Sequence, residues 1–115
     1  MTDTPHHQLD YVEFTSPEPQ ATREFMANVF GWSFVDYGPD YADIQGAGIG
    51  GGVERGTLRA PLPVINSNDL DASLAAVKAA GARITVDTFG FLGGRRFQFL
   101  APGGTEMAVW TKERE

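Results

Sequence analysis

The sequence predicts an α+β fold of two βαβββ modules, whose strands form an eight-stranded curved sheet around a central cavity. Segments rich in β-forming residues surround two amphipathic helical segments in the order strand, helix, strand, strand, strand, and this order occurs twice. The two copies are offset by about 50 residues, a period typical of internal duplication. A short echo follows each helix, VDYG at 35–38 and VDTFG at 86–90. The alternative is a chance recurrence of common α+β elements.

The first module is predicted over residues 9–56. The alternating segment Leu9–Phe14 is typical of a strand. Pro19 fits the first turn of a helix, and Gly31 fits a left-handed helix end, so a helix is predicted between them. Three short strands follow, at residues 33–37, 41–45 and 49–54. The polar residues 1–8 before this module are predicted to form a flexible tail.

The second module is predicted over residues 61–112, and residues 9–115 are expected to form a single domain. A strand over 62–67 precedes a helix that is capped by Asn68 or Asp69 and ends at Gly81. The apolar residues Leu70, Leu74 and Val77 share one face of this helix. Three strands follow, at residues 83–88, 96–100 and 106–111.

Composition excludes several classes of function. The chain has 115 residues and no cysteine, so disulfides, cysteine-ligated zinc and iron–sulfur clusters are excluded. Nine Lys and Arg residues against fifteen Asp and Glu give a net charge of −6, which disfavours nucleic acid and anionic membrane surfaces as partners. No apolar run approaches the roughly 20 residues that cross a bilayer. We therefore expect a cytoplasmic protein.

The strand alternation sorts side chains into a helix-facing set and a cavity-facing set. The residues predicted to line the cavity are Tyr11, Glu13, Asp43, Gln45, Leu62, Val64, Arg96, Gln98, Glu106, Ala108 and Trp110. A few polar groups set among apolar ones are the usual composition of a small-molecule site. Within it, Trp110 could stack on an aromatic ligand and Arg96 could meet a carboxylate.

Three motifs resemble those of the vicinal oxygen chelate superfamily, which holds glyoxalases, bleomycin-resistance proteins and extradiol dioxygenases. They are FMANVFGW at 25–32, NDLDASL at 68–74 followed by AAG at 79–81, and RFQFLAPGGTEMAVW at 96–110. The resemblance covers residues 9–110. It implies paired βαβββ modules, a homodimer, and a concave site that in many members holds a divalent metal.

The residues at the family's metal-ligand positions are unsuited to a metal. These positions fall at Tyr11, Leu62, Ala108 and the glycine-rich strand 49–53. Leucine and alanine offer no donor atom, and tyrosine binds a metal only as a phenolate. The histidines His6 and His7 lie in the predicted tail, where adventitious nickel or zinc binding is expected. We therefore predict no cofactor, with a divalent metal as the alternative.

Three functions fit these observations. The first is a metal-free small-molecule-binding or sequestering protein. The second is a lyase, isomerase or dioxygenase with a rearranged or metal-free site. Glu13 and Glu106 would form a shifted metal site, joined by Asp43 or Gln45, or a carboxylate pair that transfers protons. In the simpler interpretation, Glu13 pairs with Arg95 or Arg96 and has no catalytic role. The third is a regulatory or partner-binding module.

Two glycine-rich segments complete the predictions. Residues 48–52 are predicted to form a strand with bulges, where missing side chains open space beside the cavity. Residues 89–94 place Phe89, Phe91 and Leu92 among glycines in a predicted loop. This loop is either a mobile flap over a ligand or a segment packed under the helix or across a dimer interface.

Overall fold

A computed structural model of the chain describes residues 6–112, which contain eight strands and two helices. The first half contributes β1 (Leu9–Ser16), α1 (Pro19–Phe30), β2 (Ser33–Asp36), β3 (Tyr41–Gln45) and β4 (Gly50–Arg55). The second half contributes β5 (Arg59–Asn66), α2 (Leu70–Ala79), β6 (Arg83–Phe91), β7 (Gly94–Leu100) and β8 (Glu106–Lys112). The predicted α+β class and the two βαβββ modules are confirmed.

The chain divides into two compact units. The first unit is Tyr11–Leu62, and the second unit joins the residues from Pro63 onward to those up to Asp10. In the first unit the strand order is β2-β3-β4-β1, with β1 and β4 parallel. In the second unit the order is β6-β7-β8-β5, with β5 and β8 parallel. The pairs β2–β3, β3–β4, β6–β7 and β7–β8 are antiparallel, so both units have the same topology.

The core of the first unit lies between α1 and its sheet. Met26 of α1 packs with Ile44 and Val53, and Phe14, Trp32 and Phe34 pack against this cluster. Pro19 occupies the first turn of α1, where its missing N–H costs nothing. Gly31 ends the helix in the left-handed region at φ 75°, as the sequence predicts.

Much of the apolar surface of α1 is exposed. Phe25, Val29 and Phe30 are 59%, 58% and 56% exposed, and their rings and methyl groups cover the outer surface of the helix. Met26 takes the sheet-facing position, and successive residues of a helix point about 100° apart. Phe25 and Val29 are therefore turned away from the sheet. We refer to Phe25, Val29 and Phe30 as the α1 apolar patch.

The core of the second unit lies between α2 and its sheet. Leu70 of α2 packs with Phe97, Phe99 and Val109, and Leu74 and Val77 add to the cluster as predicted. Of the two candidate caps, Asp69 is the one used, because its carboxylate accepts the Ala72 N–H at 3.1 Å. Within residues 6–112, neither helix has the length and apolar character needed to cross a membrane.

The segment 89–94 forms a hairpin, contrary to the predicted loop. β6 extends to Phe91 and β7 begins at Gly94, which leaves a two-residue turn of Leu92 and Gly93. Gly93 has a positive φ of 105°, which glycine adopts without strain. Pairing the backbone across the hairpin satisfies polar groups that a loop would leave to solvent.

The predicted bulges of residues 48–52 are absent from β4. Its register runs without a shift against both β1 and β3. The irregularities lie instead in the β6–β7 pair, between Ile84 and Val86 and between Val86 and Phe89. The glycines of β4 mark a place where side chains from neighbouring strands approach closely. They do not mark the extra residue of a bulge.

The predicted N-terminal tail is described only from His6 onward, and residues 1–5 lie outside the described part. His7 donates its backbone N–H to the Asn66 carbonyl at 2.7 Å, and its ring Nε2 lies 2.9 Å from the Ser73 hydroxyl. The His6 ring Nδ1 accepts the Asn68 N–H at 2.9 Å. Residues 6 and 7 are therefore attached to β5 and α2 of the second unit.

Candidate functional site

In the first unit, polar side chains gather on the sheet face opposite α1. Ile44 and Val53 point toward α1, so alternation places their neighbours Asp43 and Gly52 on the other face. Tyr11 lies on this face as predicted and contacts Asp43. Tyr41, two residues before Asp43, joins them. We refer to Tyr11, Tyr41 and Asp43 as the tyrosine cluster.

The tyrosine cluster is a directed chain of hydrogen bonds. The Tyr11 hydroxyl donates to Asp43 Oδ1 at 3.0 Å and is also bonded to the Tyr41 hydroxyl. A phenol has one proton, so Tyr41 must be the donor to Tyr11. The proton order is Tyr41 to Tyr11 to Asp43, so the Asp43 carboxylate is the acceptor at the end of the chain.

Gly52 provides the space for this cluster. A Cβ atom at Gly52 would occupy the position of the Tyr11 and Tyr41 hydroxyl groups. Gly52 pairs with Glu13 on one side and with Asp43 on the other, so these carboxylates share one row across the sheet. The space predicted beside this glycine is filled by the two tyrosine side chains.

The environment keeps Tyr11 protonated. Burial raises the pKa of Tyr11, and the neighbouring Tyr41 and Asp43 raise it further, because a phenolate would lie next to other electron-rich oxygens. Tyr11 is therefore a neutral hydrogen-bond donor well above neutral pH. This raised pKa disfavours the phenolate form that a base or a metal ligand would require.

In the second unit, charged and polar groups form a row on the sheet face opposite α2. Arg96 donates from Nη2 to Gln98 Oε1 at 2.9 Å. Gln98 donates from Nε2 to Glu106 Oε2 at 3.4 Å, and Thr85 donates to the same oxygen at 3.3 Å. These bonds fix the positions of three residues that the sequence places together, Arg96, Gln98 and Glu106.

Aromatic rings lie beside this row. The Arg96 guanidinium carbon is 5.4 Å from the centre of the Phe89 ring, within the range of a cation–π contact. The Phe91 and Trp110 ring centres are 6.3 Å apart. Trp110 donates its indole N–H to Asp10 Oδ1 at 2.9 Å, which orients the ring. Burial raises the pKa of Asp10, and the bond from Trp110 opposes that rise.

The predicted cavity-lining residues fall into two groups, one in each unit. Glu13, Leu62, Val64, Gln98 and Ala108 are buried, and Gln45 is exposed at the end of β3. The remaining residues are half-buried: Tyr11, Asp43, Arg96, Glu106 and Trp110. Their roles in ligand binding, and the catalytic roles of Glu13 and Glu106, stay predictions.

Sequence reasoning missed Tyr41, Asp10 and the aromatic contribution of β6. Alternation from Asp43 and Gln45 also places Tyr41 on the helix-free face, so this signal was present in the sequence. The spacing among glycines draws attention to Phe89 and Phe91, but it does not predict the hairpin that orients them. No sequence pattern indicates the bond between Asp10 and Trp110, because the two residues are a hundred positions apart.

The residues at the family's metal positions do not fit a metal. Leu62 and Ala108 have no donor atoms and are buried, and Tyr11 is held as a neutral phenol. Strand residues 49–53 supply no His, Asp or Glu. Across residues 6–112, no group of three or more His, Cys, Asp or Glu side chains is arranged to hold a metal ion. The residues at these positions therefore lack the donor atoms that a metal site of this family needs.

No protein-family model matches the sequence, and no curated protein matches it. Solved structures do match. Methylmalonyl-CoA epimerase from Mycobacterium tuberculosis has a TM-score of 0.74 at 15% identity, over 99% of this chain and 94% of its own. An NAD-dependent benzaldehyde dehydrogenase from Legionella pneumophila has a TM-score of 0.72 at 13% identity, over 90% of this chain and 98% of its own.

The Mn(II)-bound glyoxalase from Novosphingobium aromaticivorans has a TM-score of 0.71 at 20% identity, and the match covers 96% of this chain. This chain spans only 42% of the length of that glyoxalase. At these identities the likeness establishes the fold alone. The resemblance drawn from the three motifs is confirmed at that level: this chain has the fold of the vicinal oxygen chelate superfamily, to which the glyoxalase and the epimerase belong.

Proposed function

We propose that this chain binds a small organic molecule through side chains on the helix-free faces of its strands, without the metal common in its superfamily. The observation that carries the proposal is the tyrosine cluster. Tyr11 stands at a metal-ligand position of the family, yet its proton is committed to Asp43. A hydrogen-bonding site therefore replaces a coordination site at this position.

The side chains on the helix-free face of each unit indicate which kind of ligand would bind. The first unit offers the Asp43 carboxylate as an acceptor, which favours a ligand hydroxyl or amine. The second unit offers the guanidinium of Arg96 and the indole ring of Trp110, which favour an acidic or electron-rich aromatic group. A hydroxylated aromatic molecule suits either set of side chains, because its hydroxyl donates a hydrogen bond and its ring is planar.

A second candidate is a metal-free proton-transfer enzyme of the same fold. Glu13 favours it, because this carboxyl group is buried in the same strand row as Gly52 and Asp43. Glu106, held by Gln98 and Thr85, would be its counterpart. This candidate requires turnover of a bound substrate, which the binding function does not.

A thermal-shift and calorimetric comparison of catechol with 1,2-dimethoxybenzene tests the binding function. The two molecules share a ring, but only catechol can donate hydrogen bonds. We expect catechol to raise the melting temperature of the native protein, in EDTA as well as without it, and the dimethyl ether to have little effect. Asp43→Asn should weaken catechol binding about tenfold.

The matched control is Asp87→Asn, because Asp87 is an exposed aspartate of β6 outside both groups. Equal binding of the two molecules, or equal loss in the two variants, would contradict the proposal. Time-dependent conversion of catechol or of the methylglyoxal–glutathione adduct, abolished by Glu13→Gln, would favour the enzyme. Stabilisation without conversion favours the binding protein.

We also infer that the chain forms a homodimer. The α1 apolar patch supports this inference, because three large adjacent apolar side chains that are more than half exposed are typical of an interaction surface. Sedimentation of the wild type and of a Phe25→Ser, Phe30→Ser variant tests it. The wild type should sediment as a dimer and the variant as a monomer. The cytoplasmic location stays a prediction from the sequence.

A further inference from the structure

Three aromatic side chains of the second unit lie together on its helix-free face: Phe89, Phe91 and Trp110. Val109 packs against α2, so alternation directs the adjacent Trp110 to the other face. The Phe91 ring centre lies 6.3 Å from that of Trp110 and 6.4 Å from that of Phe89, distances typical of interacting aromatic rings. We refer to these three side chains as the aromatic cluster.

The Trp110 ring is held at two of its edges. Its indole N–H donates to Asp10 Oδ1 at 2.9 Å and to Oδ2 at 3.2 Å. On the other side of the ring, Cε3 lies so close to Gly94 that an added Cβ there would be 3.2 Å from it. A ring fixed in this way is preorganised for contact with a ligand, because binding costs it little conformational entropy.

Part of the aromatic cluster is open to solvent. Phe89 and Phe91 are 37% and 40% exposed, and Trp110 is half-buried. On the opposite face of β7, by contrast, Phe97 and Phe99 are buried with the apolar residues of α2. Adjacent aromatic rings that stay partly exposed are typical of a binding surface.

Lys112 places a cation at the edge of the aromatic cluster. It follows Trp110 by two residues in β8, so its side chain leaves the same face of the sheet. Its register partner is Gly94, which in turn pairs with Phe91. Glycine has no side chain, so β7 places none between Lys112 and Phe91. Lys112 is exposed, and within residues 6–112 it forms no ion pair.

The carboxylates of this face lie away from Lys112. Asp10 is bonded to the indole nitrogen, on the side of the ring away from Gly94, the register partner of Lys112. Glu106 begins β8 six residues before Lys112, about 20 Å away along an extended strand. The charge next to the aromatic cluster at this end of the sheet is therefore positive, which favours an anionic ligand.

We propose that the aromatic cluster and Lys112 bind a planar aromatic acid. The ligand ring contacts Trp110 and Phe91, and its carboxylate accepts hydrogen bonds from the Lys112 ammonium group. Arg96 donates to Gln98 and lies over Phe89, so it supports the cluster from the other side. This inference rests on the proposed function, because it assigns a ligand class to the helix-free face of the second unit.

Calorimetry at low ionic strength with matched probes tests the ligand class: benzoate, benzamide and cyclohexanecarboxylate. Benzamide keeps the ring but loses the charge, and cyclohexanecarboxylate keeps the charge but loses the aromatic ring. We expect benzoate to bind about tenfold more tightly than either, and added salt to weaken its binding. Equal affinity for benzoate and either of the other two, or no binding of benzoate, would overturn the proposal.

Variants assign the binding to this face. Lys112→Gln should remove the preference for benzoate over benzamide, and Lys78→Gln, at an exposed lysine in the last turn of α2, should retain it. Phe91→Leu should weaken benzoate binding about fivefold, whereas Phe25→Leu on the α1 apolar patch should not. A preference that survives Lys112→Gln, or an equal loss in the control variants, would contradict the assignment.

The same titrations separate this inference from the proposed function. Asp43→Asn should weaken the binding of catechol and leave that of benzoate unchanged. Catechol binding that depends on Asp43, without any binding of benzoate, would overturn this inference alone. Failure of both molecules to bind would overturn the inference together with the proposed function.

Discussion

The two units share a topology but differ both on the side covered by the helix and on the helix-free face. α2 buries Leu70 against its sheet, whereas α1 leaves Phe25, Val29 and Phe30 more than half exposed. On the helix-free faces, the first unit presents the tyrosine cluster beside the carboxyl group of Glu13, and the second presents the row of Arg96, Gln98 and Glu106. The same backbone plan therefore supports two different surfaces.

This contrast shows where the fold constrains the sequence and where it does not. Strand order and helix ends need only apolar alternation, turns and caps, which both units provide. The helix-free faces have no partner helix to satisfy, so their side chains can differ without loss of the fold. The side chains proposed to bind a ligand lie on these faces.

The largest expected difference between the units concerns their apolar residues. Phe97 is fully buried in the second unit, and Phe97→Ala should lower the free energy of unfolding by about 3–5 kcal/mol. Phe25→Ala, on the exposed patch, should change it by less than about 0.5 kcal/mol in the monomer. Chemical denaturation at low protein concentration measures both. Similar losses in the two variants would show that the α1 apolar patch is packed.

A smaller effect is expected at the β6–β7 hairpin. A Cβ at Gly94 would overlap the Thr111 carbonyl, a backbone atom that cannot move alone. Gly94→Ala should therefore destabilise the protein by about 1–3 kcal/mol. At Gly90 the nearest contact of an added Cβ is 3.9 Å, so Gly90→Ala is the control and should be close to neutral. Thermal melting of the two variants tests the predicted order.

The two helix N-termini should differ by about 1 kcal/mol. Asp69 caps α2 through the Ala72 N–H, so Asp69→Ala should cost about 1 kcal/mol of stability. Glu18 occupies the same position before α1 but makes no side-chain cap bond, so Glu18→Ala should cost almost nothing. Urea denaturation of both variants measures the difference. A cost at Glu18 equal to that at Asp69 would contradict the described caps.

The smallest expected effect is a change in stability at high pH. The pKa of Tyr11 is raised in the folded protein, so above pH 10 the unfolded chain loses this proton while the folded chain keeps it. Stability from this group is complete below the unfolded pKa and falls as the pH rises. Tyr11→Phe should flatten that fall, and Tyr37→Phe, at an exposed tyrosine, should not. Denaturation between neutral and alkaline pH tests both.

The sequence predicts the fold better than it predicts the site. Cap glycines, helix starts and alternation predict the element order, and Gly31 and Asp69 behave as expected. Alternation also places Arg96, Gln98 and Glu106 on one face. The hairpin at Phe91–Gly94 and the bond between Asp10 and Trp110 depend on pairing between distant segments, which local patterns do not encode. The exposure of α1 depends on how one helix rotates against its sheet.

The central claim is that hydrogen bonding replaces metal coordination at Tyr11. Calorimetric titration of Mn²⁺ into EDTA-treated and dialysed protein tests it most directly, because this ion prefers oxygen ligands and avoids the histidines near the N-terminus. We expect no saturable binding, while catechol stabilises the same sample. Stoichiometric micromolar binding of Mn²⁺ that Tyr11→Phe abolishes would contradict the claim.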